Sequence, residues 1–154
     1  MTKKAEIDVP SRCNCARLRR ATRIVTRFYD QCLADAGIGV NQFTILGYLK
    51  NNGPLRMMAL AELLAMDRAT IGHNLKPLER DGFLTITVDE TDRRARMVGI
   101  TDSGLAKVAE ARPYWDAAQE EFETTFGSAE SAQLRRMLDD VADQHLTVRP
   151  APAG

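Results

Sequence analysis

The sequence has few of the side chains that enzymes use for catalysis or for metal binding. Its 154 residues include two histidines, His73 and His145, and three cysteines. It has no nucleophile motif, no glycine-rich phosphate loop and no cluster of metal-ligating residues. An odd number of cysteines does not indicate a disulfide framework. We therefore expect a protein that is not an enzyme and that needs no metal or cofactor.

Long apolar segments are also missing. No apolar run approaches the roughly 18 residues that are needed to cross a bilayer. The first residues, MTKKAEIDVPSRC, lack the apolar core of a signal peptide. Hydrophobic residues make up 44% and charged residues 27% of the chain, as is usual for one globular domain. The sequence predicts a cytoplasmic protein that does not associate with membranes.

Charge is balanced overall but unevenly distributed. The chain carries 21 basic and 21 acidic side chains. Residues 1–101 carry 16 basic and 11 acidic side chains, whereas residues 102–154 carry 5 and 10. The first segment therefore suits an anionic partner, and the second suits water or a partner chain. A solvated charged face is the alternative explanation of this distribution.

Apolar periodicity and capping residues predict the order helix, helix, short helix, helix, hairpin, long helix, helix. Pro113 is expected to bend or split the long helix. The expected helix caps are Ser11, Asn41, Asp67 and Ser128. The predicted helices span 11–36, 41–52, 58–65, 67–81, 101–126 and 128–145, and the predicted strands span 83–88 and 97–100.

This order is typical of a mainly α fold with a small β wing, the winged helix-turn-helix. Residues 41–100 form its predicted DNA-binding region. The outer helices are too apolar on one face to stand in water alone, so we expect them to meet each other and a second copy. The predicted helical dimerisation region spans 11–36 and 102–146, and the predicted flexible ends span 1–10 and 147–154.

The helix Asp67–Asp81 is the candidate DNA-reading helix. Ile71, Leu75 and Leu78 are spaced i, i+4, i+7 and should anchor one face to the short helix before it. An ordinary amphipathic surface helix has the same pattern, but the short helix before it and the basic hairpin after it favour DNA recognition. The opposite face carries side chains that can bind base edges or phosphates, namely Arg68, Thr70, His73, Asn74 and Lys76.

The predicted turn DETDRRAR, residues 89–96, is the candidate wing. Arg93, Arg94 and Arg96 lie within four residues of one another. An arginine at a hairpin tip can enter the minor groove, where the negative potential favours a guanidinium. We expect Asp89 and Asp92 to orient these arginines by ion pairing. One alternative is a charged loop that only contacts solvent. Another is a winged-helix module that binds protein, which would not need such arginines.

The run LAELLAMDRATIGHNLKPLERDGFLTI, followed by DETDRRAR and VGITDSG, resembles the MarR family of bacterial regulators. The wing motif D-x-x-D-x-R corresponds to Asp89, Asp92 and Arg94, and the resemblance covers about residues 12–146. It implies a homodimer that binds a pseudo-palindromic double-stranded DNA operator and usually represses transcription. By position, Arg94 would enter the minor groove with Arg93 or Arg96 at a phosphate, while the reading helix occupies the major groove.

Members of this family release DNA when a small anionic or aromatic ligand binds, or when a cysteine is oxidised. The segment 12–27 carries six arginines and no acid. Because guanidinium groups bind carboxylates and phosphates well, this favours an anionic aromatic or acyl-CoA ligand. The candidate effector or redox residues are Cys15, Arg19, Arg23, Tyr29 and Phe43.

A thiol-based peroxide sensor is the alternative. Cys15 and Tyr29 match residues of the organic-hydroperoxide branch of the family, whereas Arg19 replaces a second tyrosine of that branch. Arg19 and the helix N-terminus would favour the thiolate, although a cysteine on an apolar stripe is most often a core residue. A disulfide to Cys13 is not expected, because C-x-C in a helix directs the side chains apart. Cys32 lies about 25 Å further along the helix, beyond disulfide reach.

Overall fold

The computed structural model describes residues 12–144 and residue 146. It confirms a mainly helical fold with a small β-sheet. None of the described helices is both long and apolar enough to cross a membrane. Ser11, His145 and the predicted flexible ends lie outside the described residues. The elements are α1 (Asn14–Leu33), a 3-10 turn (Ala34–Ala36), α2 (Val40–Asn52), β1 (Leu55–Arg56), α3 (Met57–Leu63), α4 (Arg68–Arg80), β2 (Leu84–Val88), β3 (Arg96–Ile100), α5 (Asp102–Phe126) and α6 (Ser128–Asp143).

The chain divides into two compact units after Asp116. In the first unit, α2, α3, α4, the sheet and the first half of α5 contribute to one hydrophobic core. The three predicted anchors of α4 are fully buried in it. Leu63 of α3, although apolar, is 52% exposed. The reason is that α3 ends there, and Ala65 then takes a left-handed conformation, φ 51°, that redirects the chain toward α4.

The sheet has three antiparallel strands in the order β1-β3-β2. The predicted hairpin is present, with Leu84 opposite Ile100 and Val88 opposite Arg96. The strand β1, in which Leu55 pairs with Val98, was not predicted. A strand of two residues is too short to show any alternation of apolar and polar side chains. Its pairing fastens the base of the wing to the segment that leads into α3.

Several predicted helix starts are wrong by one to three residues. The cap of α1 is Cys13, whose sulfur accepts the Ala16 N–H at 3.3 Å. Gly39 rather than Asn41 precedes α2, because the carboxylate of Asp30 accepts the Val40 N–H at 2.8 Å. The predicted long helix is not split at Pro113, since α5 continues through it.

The last helix begins at Ser128, and Gly127 is its cap residue, not Ser128. Gly127 has φ 105°, a conformation that favours glycine over residues with a side chain. The predicted cap of α4 is confirmed. The Asp67 carboxylate accepts the Thr70 N–H at 2.7 Å, and this hydrogen bond lowers the pKa of Asp67.

Gly104, in the first turn of α5, gives a test of this packing. A Cβ there would overlap the Phe83 carbonyl and lie 2.7 Å from Ile100 Cγ1. We expect Gly104→Ala to lower the free energy of unfolding by about 1–3 kcal/mol, as overpacking does. Gly47→Ala in α2 is the control, since nothing lies within 4 Å of the added Cβ. It should raise that free energy by about 0.5–1 kcal/mol. Urea unfolding followed by circular dichroism measures both, and similar effects would contradict this packing.

Candidate nucleic-acid interface

The surface of α4 opposite the core carries most of the predicted reading residues. Arg68, Thr70, His73 and Lys76 are exposed. The helix starts at Arg68, so these side chains lie in its first two to three turns. The Asp67 carboxylate already caps the N-terminus of α4, so it is the cationic side chains of the exposed face, Arg68 and Lys76, that suit an anion such as DNA.

Asn74 differs from the other predicted reading residues because it is half-buried. Its Nδ2 donates to the Thr70 carbonyl at 2.8 Å, and its Oδ1 accepts from Asn41 Nδ2 at 2.6 Å. Nδ2 also lies 3.9 Å from Met66 Sδ. The amide that the sequence assigned to a base edge is therefore already hydrogen-bonded within the protein.

The wing is organised around the carboxylate of Asp89, of which 8% of the side chain is exposed. Oδ1 accepts both the N–H and the hydroxyl of Thr91 at 2.7 Å, and the Asp92 N–H at 3.2 Å. Oδ2 accepts from Arg56 Nε at 2.7 Å. The Thr91 hydrogen bonds, followed by that of Arg56, hold the pKa of Asp89 well below its usual range. The carboxylate therefore stays ionised and closes the turn.

Among the described residues, Asp89 and Asp92 do not form the expected ion pairs with the wing arginines. Asp89 pairs with Arg56 of β1, and Asp92 Oδ1 accepts the backbone N–H of Arg94 at 3.0 Å. Arg96 Nη1 donates to the carbonyl of Arg93 at 3.2 Å. The acids thus shape the loop backbone. Of the described residues, none forms an ion pair with the Arg94 guanidinium, which remains available to a ligand.

A concave surface of about 220 Å³ joins the wing to the start of α4. It unites three predicted DNA-binding residues, Arg68, Arg94 and Arg96, with Arg56. Arg56 was not among the predicted residues, and its one local signal is that it is a single cation inside the apolar segment LRMM. Met57, Met58 and Ala95 complete the lining. Of the four arginines that line this concavity, Arg56 is paired with Asp89, and the charge of the other three suits the phosphates of a nucleic acid backbone.

The predicted effector and redox residues fall in different places. Arg19 and Arg23 line a concave surface of about 270 Å³ on α1. Cys15 is exposed in the first turn of that helix, and the Tyr29 ring lies 5.4 Å from the neighbouring Phe28 ring, edge to face. Phe43 of α2 stacks on Trp115 of α5 at 6.1 Å. In the described part of the chain, no group of three potential metal ligands lies together.

A short helix, a reading helix and an arginine-bearing hairpin define a winged helix-turn-helix DNA-binding protein. A sequence model of the MarR family matches residues 36–95. The chain is 30% identical to the HTH-type transcriptional regulator YwaE of Bacillus subtilis, over 81% of this chain and 73% of that protein. The chain belongs to the MarR family of transcriptional regulators.

Solved structures agree with this assignment. The M. tuberculosis transcriptional regulator MosR in complex with DNA is similar, with a TM-score of 0.77 and 28% identity over 84% of this chain and 93% of that one. BpsR of Bordetella bronchiseptica, whose DNA binding is regulated by 6-hydroxynicotinic acid, has a TM-score of 0.75. It is 26% identical over 90% of this chain and 99% of that one.

The bonding of Asp89 predicts how the wing responds to substitution and to pH. Because folding lowers the pKa of Asp89, its stabilising contribution is complete above the unfolded pKa of about 4 and is lost as the pH falls below that value. At neutral pH, Asp89→Asn should mimic this loss. We expect roughly three- to tenfold faster amide hydrogen exchange at Thr91 and Asp92, with exchange in α4 unchanged.

The matched control is Glu90→Gln, which removes an exposed carboxylate next to Asp89. This variant should leave the exchange of the wing amides as in the unmodified protein. Equal exchange rates in the Asp89 and Glu90 variants would contradict the role assigned to Asp89.

Proposed function

We propose that this MarR-family chain is a homodimeric repressor that binds a pseudo-palindromic operator and releases it when a small anionic ligand binds. The concave surface that joins Arg68 to Arg94 and Arg96 carries the DNA-binding assignment. In this arrangement α4 lies in the major groove through Arg68, Thr70, His73 and Lys76, while Arg94 enters the adjacent minor groove. Arg93 and Arg96 bind phosphates beside it.

Exposed apolar side chains on the outer helices support the dimer. Leu18 and Ile24 of α1 are 40% and 55% exposed, and Met137 and Val141 of α6 are 56% and 48% exposed. Met137 and Val141 are spaced i, i+4 and so share one face of α6, and exposed apolar faces of this kind mark partner surfaces. A twofold dimer built through 11–36 and 102–146 would present two reading helices to two half-sites. Such a dimer on a promoter, in the cytoplasm, blocks transcription.

Single substitutions test the DNA contacts. A duplex is first selected from a random pool with the unmodified protein, and affinity is measured by fluorescence anisotropy. Arg94→Ala and Lys76→Ala should each lower the affinity about tenfold or more, and each lost phosphate contact should reduce the salt slope by about one. Native mass spectrometry should show two chains per duplex.

Arg80→Ala is the matched control for these variants. Arg80 lies in the last turn of the same helix and pairs with Asp81 at 2.9 Å, away from the concave surface. Its removal should change the affinity less than twofold. An Arg94→Ala variant that binds DNA like the unmodified protein would instead favour a winged helix that binds protein.

The ligand assignment rests on the arginines of α1. Arg19 and Arg23 border one concavity with Thr22, and Arg23 and Arg27 border a second one of about 440 Å³. Guanidinium groups bind carboxylates and phosphates in bidentate geometry. The similar protein BpsR responds to an aromatic acid. An aromatic carboxylate or an acyl-CoA thioester has the charge that this surface accommodates.

Release from the selected duplex tests the ligand. We use 6-hydroxynicotinic acid, benzoic acid and benzoyl-CoA as probes, and we expect at least one of them to dissociate the complex. Arg23→Ala should raise the concentration required by about tenfold or more, because it removes a charge-assisted hydrogen bond. Arg20→Ala, an exposed arginine of α1 that lines neither concavity, is the control. Lack of release by all three probes would refute this ligand class.

The exposure of Cys15 keeps peroxide sensing as the second candidate function. A cysteine on an apolar stripe is usually a core residue, but Cys15 is exposed. Cys13 also lies outside the helix, with φ −83° and ψ 99°, so the helical geometry that argued against a Cys13–Cys15 disulfide does not apply. The same release assay with cumene hydroperoxide decides between the functions. Release that Cys15→Ser abolishes identifies a thiol sensor.

A further inference from the structure

We propose that the first turn of α2 is the joint that positions the reading helix, and that Asp30 and Asn41 are positioning residues for DNA recognition. This inference rests on the proposed role of α4 in reading DNA. It assigns a function to two polar side chains that lie outside both α4 and the wing. It also gives Asn74 a role different from the base contact that its position in α4 suggests.

The first turn of α2 is held by a side chain of another helix. Gly39 precedes α2 and has no side chain that can cap it. Asp30 of α1 takes that place, since its Oδ1 accepts the Val40 N–H at 2.8 Å. The Gly39 N–H donates instead to Gln42 Oε1 at 3.2 Å. A carboxylate at a helix N-terminus is favoured by the helix dipole as well as by the hydrogen bond. The position of α2 is therefore tied to α1 at this point.

The next residue of the same turn ties α2 to the reading helix. Asn41 Nδ2 donates to Asn74 Oδ1 at 2.6 Å. Asn74 in turn donates to the Thr70 carbonyl, one turn earlier in α4. Two hydrogen bonds thus connect the carboxylate of Asp30 to the middle of α4. The first joins Asp30 to the N–H of Val40, and the second joins Asn41, the next residue, to Asn74.

These bonds leave Asn74 poorly suited to read a base. An asparagine that recognises adenine uses its amide as donor and acceptor together. In Asn74 one N–H is engaged by the Thr70 carbonyl, the other faces Met66 Sδ, and the oxygen already accepts from Asn41. Base reading then falls to the exposed side chains of α4, such as His73 and Lys76. Asn74 and Asn41 set the orientation from which those side chains reach the groove.

The same joint is accessible to a ligand on α1. Asp30 lines the concavity of about 440 Å³ together with Arg23 and Arg27. A ligand carboxylate bound by these arginines adds a negative charge next to Asp30. Like charges at short distance repel, so the Asp30 side chain is displaced from the Val40 N–H. Loss of this cap frees the turn that carries Asn41, and its hydrogen bond to Asn74 no longer sets the tilt of α4, although the buried face of α4 stays in the core.

The experiment measures affinity for the selected duplex and for random duplex, and it repeats the selection with each variant. Asp30→Ala, Asn41→Ala and Asn74→Ala should each reduce the ratio of the two affinities about three- to tenfold, the effect of one lost hydrogen bond. Binding to random DNA should stay constant. The Asn41→Ala/Asn74→Ala double variant should lose no more than either single variant, because both remove the same bond.

Asp35→Ala and Asn51→Ala are the controls, since each removes an exposed side chain of the same type from the same region. They should leave the ratio unchanged. If Asn74 reads a base, Asn74→Ala relaxes the selected sequence at one position and Asn41→Ala does not, and this result overturns the proposal. Additive losses in the double variant overturn it as well.

Asp30→Asn separates the two roles of Asp30, the hydrogen bond to the Val40 N–H and the negative charge next to the ligand. It also controls for a loss of folding in the Asp30→Ala variant. The amide keeps an acceptor for the Val40 N–H but carries no charge. This variant should bind the selected duplex within about twofold of the unmodified protein, yet need about tenfold more benzoic acid or 6-hydroxynicotinic acid for release. Unchanged release refutes the connection to the ligand. Failure of Arg94→Ala to weaken binding refutes the proposed function itself and is a separate outcome.

Discussion

The burial of one face of α4 is the constraint on which the DNA-binding surface depends. Ile71, Leu75 and Leu78 are fully excluded from water. Truncating any one of them to alanine would cost about 2–5 kcal/mol, a large share of the stability of a small domain. The helix therefore cannot rotate about its axis without exposing this face. The core therefore decides which side chains of α4 face the solvent.

The wing is held by a different kind of interaction. Residues 89–96 include one apolar residue, Ala95, so burial cannot fix this turn as burial fixes α4. One carboxylate, Asp89, accepts hydrogen bonds from the turn and from Arg56 of β1. Arg56 also lines the concave surface, together with Arg68 and the wing arginines Arg94 and Arg96. The partner of Asp89 is therefore part of that surface. The DNA-binding surface thus combines an apolar anchor with a polar one.

The outer helix α1 contributes little to the core of its own unit. Among its described residues, Leu33 at its C-terminal end is the one that is fully buried. Arg19, Arg23 and the exposed apolar side chains Leu18 and Ile24 therefore lie outside this core. Asp30 is the exception, because it reaches α2. In the described structure this hydrogen bond ties the C-terminal part of α1 to the start of α2.

Local signals in the sequence were sufficient for much of this description. The spacing of Ile71, Leu75 and Leu78 predicted the buried face of α4, and Asp67 correctly marked its start, because periodicity and capping involve neighbours within one or two turns. The wing motif with Arg94 identified the family. The same reasoning placed the strands of the hairpin within one residue of their observed bounds.

The tertiary structure decided the contacts between residues that are far apart in the chain. Asp30 reaches a backbone amide 10 residues away, whereas Asn41 and Asn74, like Arg56 and Asp89, are 33 residues apart. A polar side chain carries no local mark of its distant partner. Asn74 therefore looked like a base reader and Asp89 like a partner of the wing arginines, and only the folded chain shows which donors and acceptors meet.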